Sequence, residues 1–272
     1  MTTVAAVQMA SGPNVAANLN EAERLVSQAV ERGANIVVLP ENFAFMGRYE
    51  QDKRPIAEQP GVGPIQDFLA AQARRHRIWL IGGTLPMQCA APGKVRAACL
   101  AYNAEGQVAA RYDKMHLFDV MVPESGERYL ESEGIEPGDV PAVVQTPCGV
   151  LGLTVCYDLR FPELFRALLD QGMTAVAIPS AFTAVTGRAH WETLVRARAI
   201  ENNCFVIAAA QGGYHISGRE TFGHSMIVDP WGVVLNSLGK GPGVVLADID
   251  PEHVKSLRRS FPAVDHRRLH CR

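Results

Sequence analysis

At residues 152–163 the chain reads Gly-Leu-Thr-Val-Cys-Tyr-Asp-Leu-Arg-Phe-Pro-Glu. An apolar run stops at Cys156, a short polar turn follows, and Pro162 suits the first turn of a helix. Enzyme nucleophiles are often displayed at such a strand-to-helix turn, because the turn exposes the side chain and nearby backbone N–H groups can face a developing oxyanion. A cysteine taken alone is more often buried packing, so the interpretation of Cys156 depends on the rest of the chain.

Short β-branched runs alternate with helical patterns on both sides of this turn. Strands are predicted at residues 4–9, 36–39, 79–82, 97–103, 108–112, 143–146, 150–155, 175–178, 205–210, 225–228, 233–238 and 244–249, and helices at 15–32, from Pro64, from Pro162 and at about 189–202. This order predicts a layered α/β architecture, with helices over the sheets because strands such as 36–39 are apolar on both faces. No linker or repeat divides the chain, so we expect one domain over residues 1–272.

Composition narrows the class of protein. The chain has 272 residues, 47% of them hydrophobic, and a formal net charge of −2, which argues against binding to nucleic acid or to a membrane surface. Its basic cluster is C-terminal and is interpreted as a solvated or subunit-facing tail: Lys255, Arg258, Arg259, Arg267, Arg268 and Arg272.

The six cysteines form no CxxC pair and no Cys/His metal spacing, so we expect a reducing compartment and no metal. The N-terminus lacks the pattern of a signal peptide and no apolar run reaches transmembrane length, which together predict a cytoplasmic protein.

Two further strand ends carry groups that complement a thiol. Glu41 comes just after the apolar residues 36–39, and Lys114 comes just after the predicted strand at 108–112. Each would by itself be interpreted as a solvated surface residue. Together with Cys156 they fit acyl transfer to sulfur, in which the thiol attacks a carbonyl, the carboxylate moves the proton and the cation stabilises the oxyanion. This chemistry requires no cofactor.

The chain resembles the nitrilase, or carbon–nitrogen hydrolase, superfamily over essentially its full length. The matching blocks are Leu-Pro-Glu-Asn at 39–42, Tyr-Asp-Lys-Met-His-Leu at 112–117 and Val-Cys-Tyr-Asp-Leu-Arg-Phe-Pro-Glu at 155–163. The resemblance implies an α/β fold, a four-layer α-β-β-α sandwich of the nitrilase type, and a homodimer or higher homo-oligomer. It also implies that the helices near 162–171 and 189–202 and the C-terminal segment lie near the subunit contact.

The same resemblance assigns roles to individual residues. Glu41 becomes the general base and acid, Lys114 stabilises the oxyanion, and Cys156 is the nucleophile. The backbone N–H of Tyr157 is expected to be a second oxyanion donor. A further glutamate of the family pattern matches Glu131, which would position Lys114; the nearby alternatives are Glu124, Glu127 and Glu133.

Later blocks resemble the amidase branch called Nit. They are Ile-Pro-Ser-Ala-Phe at 178–182, His-Trp-Glu at 190–192, Arg-Ala-Arg-Ala-Ile-Glu at 196–201, Ala-Ala-Ala-Gln-Gly-Gly at 208–213 and Phe-Gly-His-Ser-Met-Ile-Val-Asp-Pro-Trp-Gly at 222–232. Within that branch the residues of these blocks most resemble those of deaminated glutathione amidases. Those enzymes act in metabolite repair and cut the amide between a 2-oxoglutarate unit and Cys-Gly. The alternatives are an ω-amidase acting on 2-oxoglutaramate or 2-oxosuccinamate, another enzyme of the superfamily, or a non-catalytic member kept for partner binding.

A small amide substrate with carboxylates needs cationic contacts. Arg160, four residues after Cys156, is the leading candidate, although it could instead pair with Asp158 or Glu163. Phe182, Thr183 and Trp191 are predicted to line the pocket. A weaker prediction places His215 and Arg219 against the distal Cys-Gly part, and structural roles are expected for His190, His224 and His266.

Overall fold

The computed structural model describes residues 1–122 and 126–269. Glu124, Cys271 and Arg272, which entered the sequence interpretation, lie outside these ranges. The strands are β1 Thr2–Gln8, β2 Ile36–Val38, β3 Trp79–Ile81, β4 Leu85–Gln88, β5 Val95–Tyr102, β6 Val108–Asp113, β7 Asp119–Met121, β8 Arg128–Leu130, β9 Ala142–Thr146, β10 Gly149–Leu153, β11 Ala175–Ala177, β12 Phe205–Ala208, β13 Gly212–Tyr214, β14 Glu220–Phe222, β15 Met226–Val228, β16 Val234–Ser237 and β17 Gly243–Ile249. The α-helices are α1 Val15–Glu31, α2 Pro64–His76, α3 Pro162–Asp170, α4 Ala184–Asn202 and α5 Pro251–Ser260, and short 3-10 helices cover Glu50–Ile56, Glu131–Glu133 and Cys156–Arg160.

The first large sheet is built mainly from the N-terminal half of the chain. Its strand order is β17-β1-β2-β3-β5-β4, and β6 also pairs with β5. Strands β1, β2 and β3 are parallel, and the helices α1 and α2 lie in the connections between them. The C-terminal strand β17 closes one edge antiparallel to β1, so the two ends of the chain meet in one sheet.

The second large sheet has the order β16-β15-β12-β11-β10-β9. Its central strands β10, β11 and β12 are parallel, and α3 and α4 connect them. This repeats the strand–helix–strand arrangement of the first sheet. Glu41 and Cys156 follow parallel strands of the two sheets, β2 and β10, whereas Lys114 follows β6, which pairs antiparallel with β5.

Alternation of side chains along the strands sorts the core into two parts. In the first sheet Val4 and Ala6 pack with residues of the second sheet, whereas Ala5 and Val7 pack with α1 and α2. The second sheet is covered on its other side by α3 and α4, whose apolar residues include Phe165. The layers therefore run helix, sheet, sheet, helix, which confirms the predicted four-layer α-β-β-α sandwich.

Helix α4 begins five residues earlier than the sequence pattern indicated. Thr183 caps it by accepting a hydrogen bond from the N–H of Thr186, and Gly187 lies inside its first turns. A glycine in that position weakens the helical pattern, but here a Cβ on Gly187 would lie 2.2 Å from Phe222. The glycine therefore allows α4 to approach β14 closely.

The five described cysteines, Cys89, Cys99, Cys148, Cys156 and Cys204, are all free thiols. Within residues 1–122 and 126–269, helices that combine the length and the apolar character needed to cross a bilayer do not occur.

Candidate active site

The ends of three strands deliver three reactive side chains to one cavity. Glu41 follows β2, Lys114 directly follows β6, and Cys156 follows β10 of the facing sheet. All three line a cavity of about 380 Å³. The structure thus brings together the carboxylate, the ammonium and the thiol that the sequence placed at separate strand ends.

Lys114 lies at the centre of this group and is almost fully buried. Its Nζ is 2.8 Å from Oε1 of Glu41 and 2.8 Å from each carboxylate oxygen of Glu131, and the side chains of both glutamates are also buried. Burial alone would lower the pKa of Lys114, but the charges of Glu131 and Glu41 outweigh it and hold the pKa well above its usual value. Lys114 is therefore a permanent cation beside the thiol.

Glu131 is held from two sides. Besides Lys114, its Oε2 accepts a hydrogen bond of 2.7 Å from the backbone N–H of Phe118. Burial opposes ionisation, yet Lys114 lowers the pKa of Glu131 below its usual value. Of the alternative glutamates, Glu127 and Glu133 are exposed, so Glu131 is the one that this geometry places against the lysine.

Cys156 occupies a left-handed backbone conformation, with φ of +49°, at the first residue of a 3-10 helix. This conformation is uncommon outside glycine and often marks functional sites. The backbone N–H of Cys156 donates to the carbonyl of Pro179 at 2.8 Å, and the N–H of Ala181 lies 3.4 Å from Sγ. Pro179 and Ala181 lie in the loop that follows β11, the strand next to β10 in the sheet. This loop therefore holds both the backbone and the sulfur of Cys156 in place.

The thiol is neutral at rest. Burial is the main cause that raises the pKa of Cys156 well above its usual value, and the charge of Glu41 adds to it, while Lys114 and the N–H of Ala181 act in the opposite direction. A neutral thiol needs a base at the moment of attack. Glu41, whose charge acts on the thiol and whose side chain lines the same cavity, is the group in position to serve as that base.

Asp158 joins the cysteine block to the lysine block, a role that the sequence interpretation missed. Its fully buried carboxylate accepts hydrogen bonds from the N–H of Val155 at 2.8 Å, the hydroxyl of Tyr112 at 2.7 Å and the N–H of His116 at 3.1 Å. Nδ1 of His116 lies 2.7 Å from the same carboxylate. Because Tyr112 and His116 flank Lys114 in sequence, Asp158 fixes the distance between the two catalytic segments.

Among the other charged side chains that line the cavity, arginines outnumber the glutamates Glu50 and Glu133. Besides Lys114 the cavity is lined by Arg48, Arg128, Arg160 and Arg219. Arg160 lies against aromatic rings, with Cζ 5.7 Å from the Tyr157 ring and 5.3 Å from the Phe182 ring, and its Nη1 is 3.2 Å from Nδ1 of His190. Asp158, one of the partners considered for Arg160, is already engaged by four other groups. Such a lining suits an anionic ligand.

The structure separates the remaining predicted pocket residues into two groups. Tyr157 and Phe182 line the cavity, as expected. Thr183 is instead the N-cap of α4, and Trp191 is buried behind Phe182, with ring centroids 5.0 Å apart and its Nε1–H donated to the carbonyl of His224. Thr183 and Trp191 therefore support the wall of the cavity rather than form it.

The two residues of the 213–220 loop also differ. Arg219 lines the cavity, whereas His215 is buried between Ser11 and Thr221, 2.8 Å from the carbonyl of the former and 2.7 Å from the hydroxyl of the latter. Burial lowers the pKa of His215, so it is a neutral structural residue.

Tyr129 also lines the cavity and was not predicted, because β7 and β8 are too short to give a strand pattern.

The described residues contain no group of three or more His, Cys, Asp or Glu side chains that could hold a metal ion. The absence of a cofactor stays a prediction. The cavity brings a carboxylate, an ammonium and a thiol together from the chain's own side chains.

Comparisons with known proteins bear on the family and the fold. The carbon-nitrogen hydrolase family model matches residues 3–259. A deaminated glutathione amidase from Synechocystis sp. is 45% identical over 266 residues, which cover 97% of this chain and 97% of that protein. The crystal structure of Saccharomyces cerevisiae Nit3, a member of branch 10 of the nitrilase superfamily, is 31% identical with a TM-score of 0.88, covering 98% of this chain and 97% of that one. An amidase from Nesterenkonia sp. AN1 is 27% identical with a TM-score of 0.79, covering 96% and 98% of the two chains, and its structure shows acrylamide added at the active site cysteine.

Proposed function

Because the chain belongs to the carbon–nitrogen hydrolase family, a family of amide hydrolases, we propose that it cleaves deaminated glutathione to 2-oxoglutarate and Cys-Gly. The observation that carries the proposal is the buried Lys114, held by Glu41 and Glu131 in the same cavity as Cys156. The Synechocystis relative of that name supports the substrate, and the Nesterenkonia amidase supports a reactive cysteine.

Acylation begins when Sγ of Cys156 attacks the amide carbonyl carbon. The thiol proton passes to Glu41 as the C–S bond forms, which is required because the resting thiol is neutral. The carbonyl electrons move onto oxygen, and the ammonium of Lys114 and the backbone N–H of Tyr157 stabilise the oxyanion. When the tetrahedral intermediate collapses, Glu41 returns the proton to the departing amine of Cys-Gly, the C–N bond breaks, and a thioester remains on Cys156.

Deacylation repeats these steps with water. Glu41 takes a proton from the water as its oxygen attacks the thioester carbonyl, and the same two donors stabilise the second oxyanion. Collapse expels the sulfur, which recovers a proton from Glu41, and 2-oxoglutarate leaves as the acid. Glu131 takes no proton in this scheme; it fixes the ammonium of Lys114 against the site of oxyanion formation.

The lining of the cavity supports an acidic substrate of more than minimal size. Its volume of about 380 Å³ lies within the range of pockets for small organic ligands. The arginines among the lining residues offer planar donors that match carboxylates. Arg160, beside the nucleophile, is placed to bind the 2-oxo-acid end of the acyl group.

The test is release of 2-oxoglutarate from deaminated glutathione and, separately, from 2-oxoglutaramate, with Cys156→Ala as the blank. We expect a higher kcat/KM for deaminated glutathione and no turnover by the variant, which should unfold at the temperature of the native protein. A higher kcat/KM for 2-oxoglutaramate would make the chain an ω-amidase. Turnover retained by Cys156→Ala would overturn the mechanism.

We further infer that the protein is a homodimer. Ile200 at the end of α4 and Trp231 are exposed apolar side chains, and the ring of Trp231 meets that of the exposed Phe261 at 5.4 Å. The backbone of Gly232 lies against Ile200, so these residues form one apolar patch in the region where the family resemblance places the subunit contact. Light scattering should give a dimer for the native protein and a monomer for Trp231→Lys; an unchanged mass for that variant would contradict this contact.

We also infer a reducing, cytoplasmic compartment, supported by the five unpaired cysteines among the described residues.

A further inference from the structure

A row of three aromatic rings crosses the catalytic cavity. The ring of Phe118 lies 5.1 Å from that of Tyr129 on one side and 5.1 Å from that of Tyr157 on the other. An arginine lies over each outer ring: Cζ of Arg219 is 5.1 Å from the centroid of Tyr129, and Cζ of Arg160 is 5.7 Å from that of Tyr157. The row therefore separates two guanidinium groups that line the same cavity.

The row runs beside the catalytic groups. The backbone N–H of Phe118, in the middle of the row, donates to Glu131, which holds Lys114. At one end of the row, Tyr157 directly follows Cys156 in the chain. A carbonyl group placed for attack by Cys156 thus lies near this aromatic surface and the two arginines that contact it.

Arg219 has an unused hydrogen-bond donor. Its Nη2 donates to the carbonyl of Ala181 at 2.6 Å, which fixes the guanidinium in place. Its Nε is buried and has no hydrogen-bond partner among the described residues. An unpaired N–H costs free energy when buried, and most such groups in folded proteins are paired. This N–H is closed to the cavity as well, so a ligand carboxylate would meet the part of the Arg219 guanidinium that lines the cavity.

We propose that Arg219 binds a carboxylate on the leaving-group side of the scissile amide, opposite the acyl-side carboxylate at Arg160. This inference rests on the proposed function and narrows it to a substrate class: amides whose scissile bond lies between two carboxylates. Deaminated glutathione has this form, with the 2-oxo acid on one side and the glycine carboxylate on the other. The ω-amides release ammonia and have no carboxylate on that side.

The test compares two substrates and three enzymes. The substrates are deaminated glutathione and the same molecule with its glycine carboxylate converted to a carboxamide. The enzymes are the native protein, Arg219→Gln and the matched control Arg188→Gln, which removes the same charge from an exposed position of α4 outside the cavity lining. We expect Arg219→Gln to raise KM for the acid by about 10- to 100-fold, the range for a lost hydrogen bond to a charged group. The carboxamide should show a similarly raised KM with all three enzymes, and Arg188→Gln should match the native protein.

Equal KM values for acid and carboxamide with the native protein would overturn the proposal, and this comparison needs no variant. An equal fall in kcat on both substrates in Arg219→Gln, with KM unchanged, would also overturn it and assign the residue to holding Ala181. If the native protein hydrolyses 2-oxoglutaramate but neither peptide substrate, the proposed function fails with this subsite. If it hydrolyses both peptides equally well, the proposed function stands and only the subsite is wrong.

Discussion

Replacing Lys114 by methionine isolates the charge at the centre of the site. The substitution keeps a long side chain of similar volume and removes the ammonium that contacts Glu41 and Glu131 at 2.8 Å. The side chains of these partners are only 5% and 9% exposed, so they are largely shielded from bulk solvent. Lys114→Met therefore leaves two buried carboxylates close to each other without a counter-ion.

The expected loss of stability follows from that geometry. Breaking a buried ion pair by removing one partner costs about 3–5 kcal/mol, because the remaining charge stays buried and uncompensated. We expect the free energy of unfolding at neutral pH to fall by that amount. Turnover should also fall by at least about 10²- to 10³-fold, the cost of removing one oxyanion donor.

The pH dependence of the loss has a definite sign. In the native protein the pKa of Glu131 is lowered, so its contribution is present above the ordinary value of 4.5 and is lost as the pH falls through the lowered pKa. The pKa of Lys114 is raised, so its contribution is present below 10.5 and is lost only as the pH rises through the raised pKa. In Lys114→Met, the main charge that lowers the pKa of Glu131 is gone, so burial raises that pKa and the carboxylate takes up a proton as the pH falls. The stability difference between native protein and variant should therefore be larger at pH 8 than at pH 5.

Urea unfolding followed by tryptophan fluorescence at the two pH values measures this difference. The matched control is Lys255→Met, which breaks an ion pair with Glu252 whose side chains are 58% and 66% exposed and should change stability little. A loss below about 1 kcal/mol in Lys114→Met, or a loss that does not change between pH 5 and pH 8, would refute the assignment of a charged buried cluster.

Three further predictions test the groups around this cluster. Glu41→Gln removes a charge that raises the pKa of Cys156, so the pH midpoint of alkylation of that thiol by iodoacetamide, followed by mass spectrometry, should move to lower pH than in the native protein; a midpoint that stays or rises would contradict the cause given for the shift. Asp158→Asn leaves buried donors facing an amide and should lower the free energy of unfolding by about 2–3 kcal/mol together with kcat, whereas unchanged kcat would remove its positioning role. Gly83→Ala places a Cβ 2.0 Å from the carbonyl of Pro40 at a φ of +53°, which must displace the following glutamate, and kcat should fall by about 100-fold; unaltered kinetics would show that the backbone adapts.

The sequence predicted most of the secondary structure because β-branched strands and amphipathic helices have strong patterns. Strands β1, β5 and β17 lie within two residues of their predicted bounds, and α1 runs from Val15 to Glu31. The short pairs β7–β8 and β13–β14 were not predicted, since three-residue strands with polar residues give no periodic signal. Tyr129 lies on β8 and Arg219 in the turn between β13 and β14, and both line the cavity. For this reason the sequence pattern did not predict Tyr129 and predicted Arg219 only weakly.

The side chains of the candidate site could be named from the sequence, but their contacts could not. Glu41 and Lys114 emerge from one sheet and Cys156 from the other, so their meeting depends on how the two sheets face each other. Asp158 illustrates the same limit: it is an ordinary acidic residue in the sequence, and only packing shows that it joins two segments 42 residues or more apart. Trp191 shows the converse, because an aromatic residue near the site was predicted to contact substrate and instead supports Phe182 from behind.

The central claim is a thioester between the substrate's acyl group and one cysteine. Rapid acid quenching of the native protein during turnover of deaminated glutathione, followed by intact-mass measurement and peptide mapping, tests it most directly. We predict an added 2-oxoglutaryl group on the peptide that contains Cys156, and no addition in Cys156→Ala. Turnover without any adduct under single-turnover conditions, or an adduct on one of the other cysteines, would contradict the account.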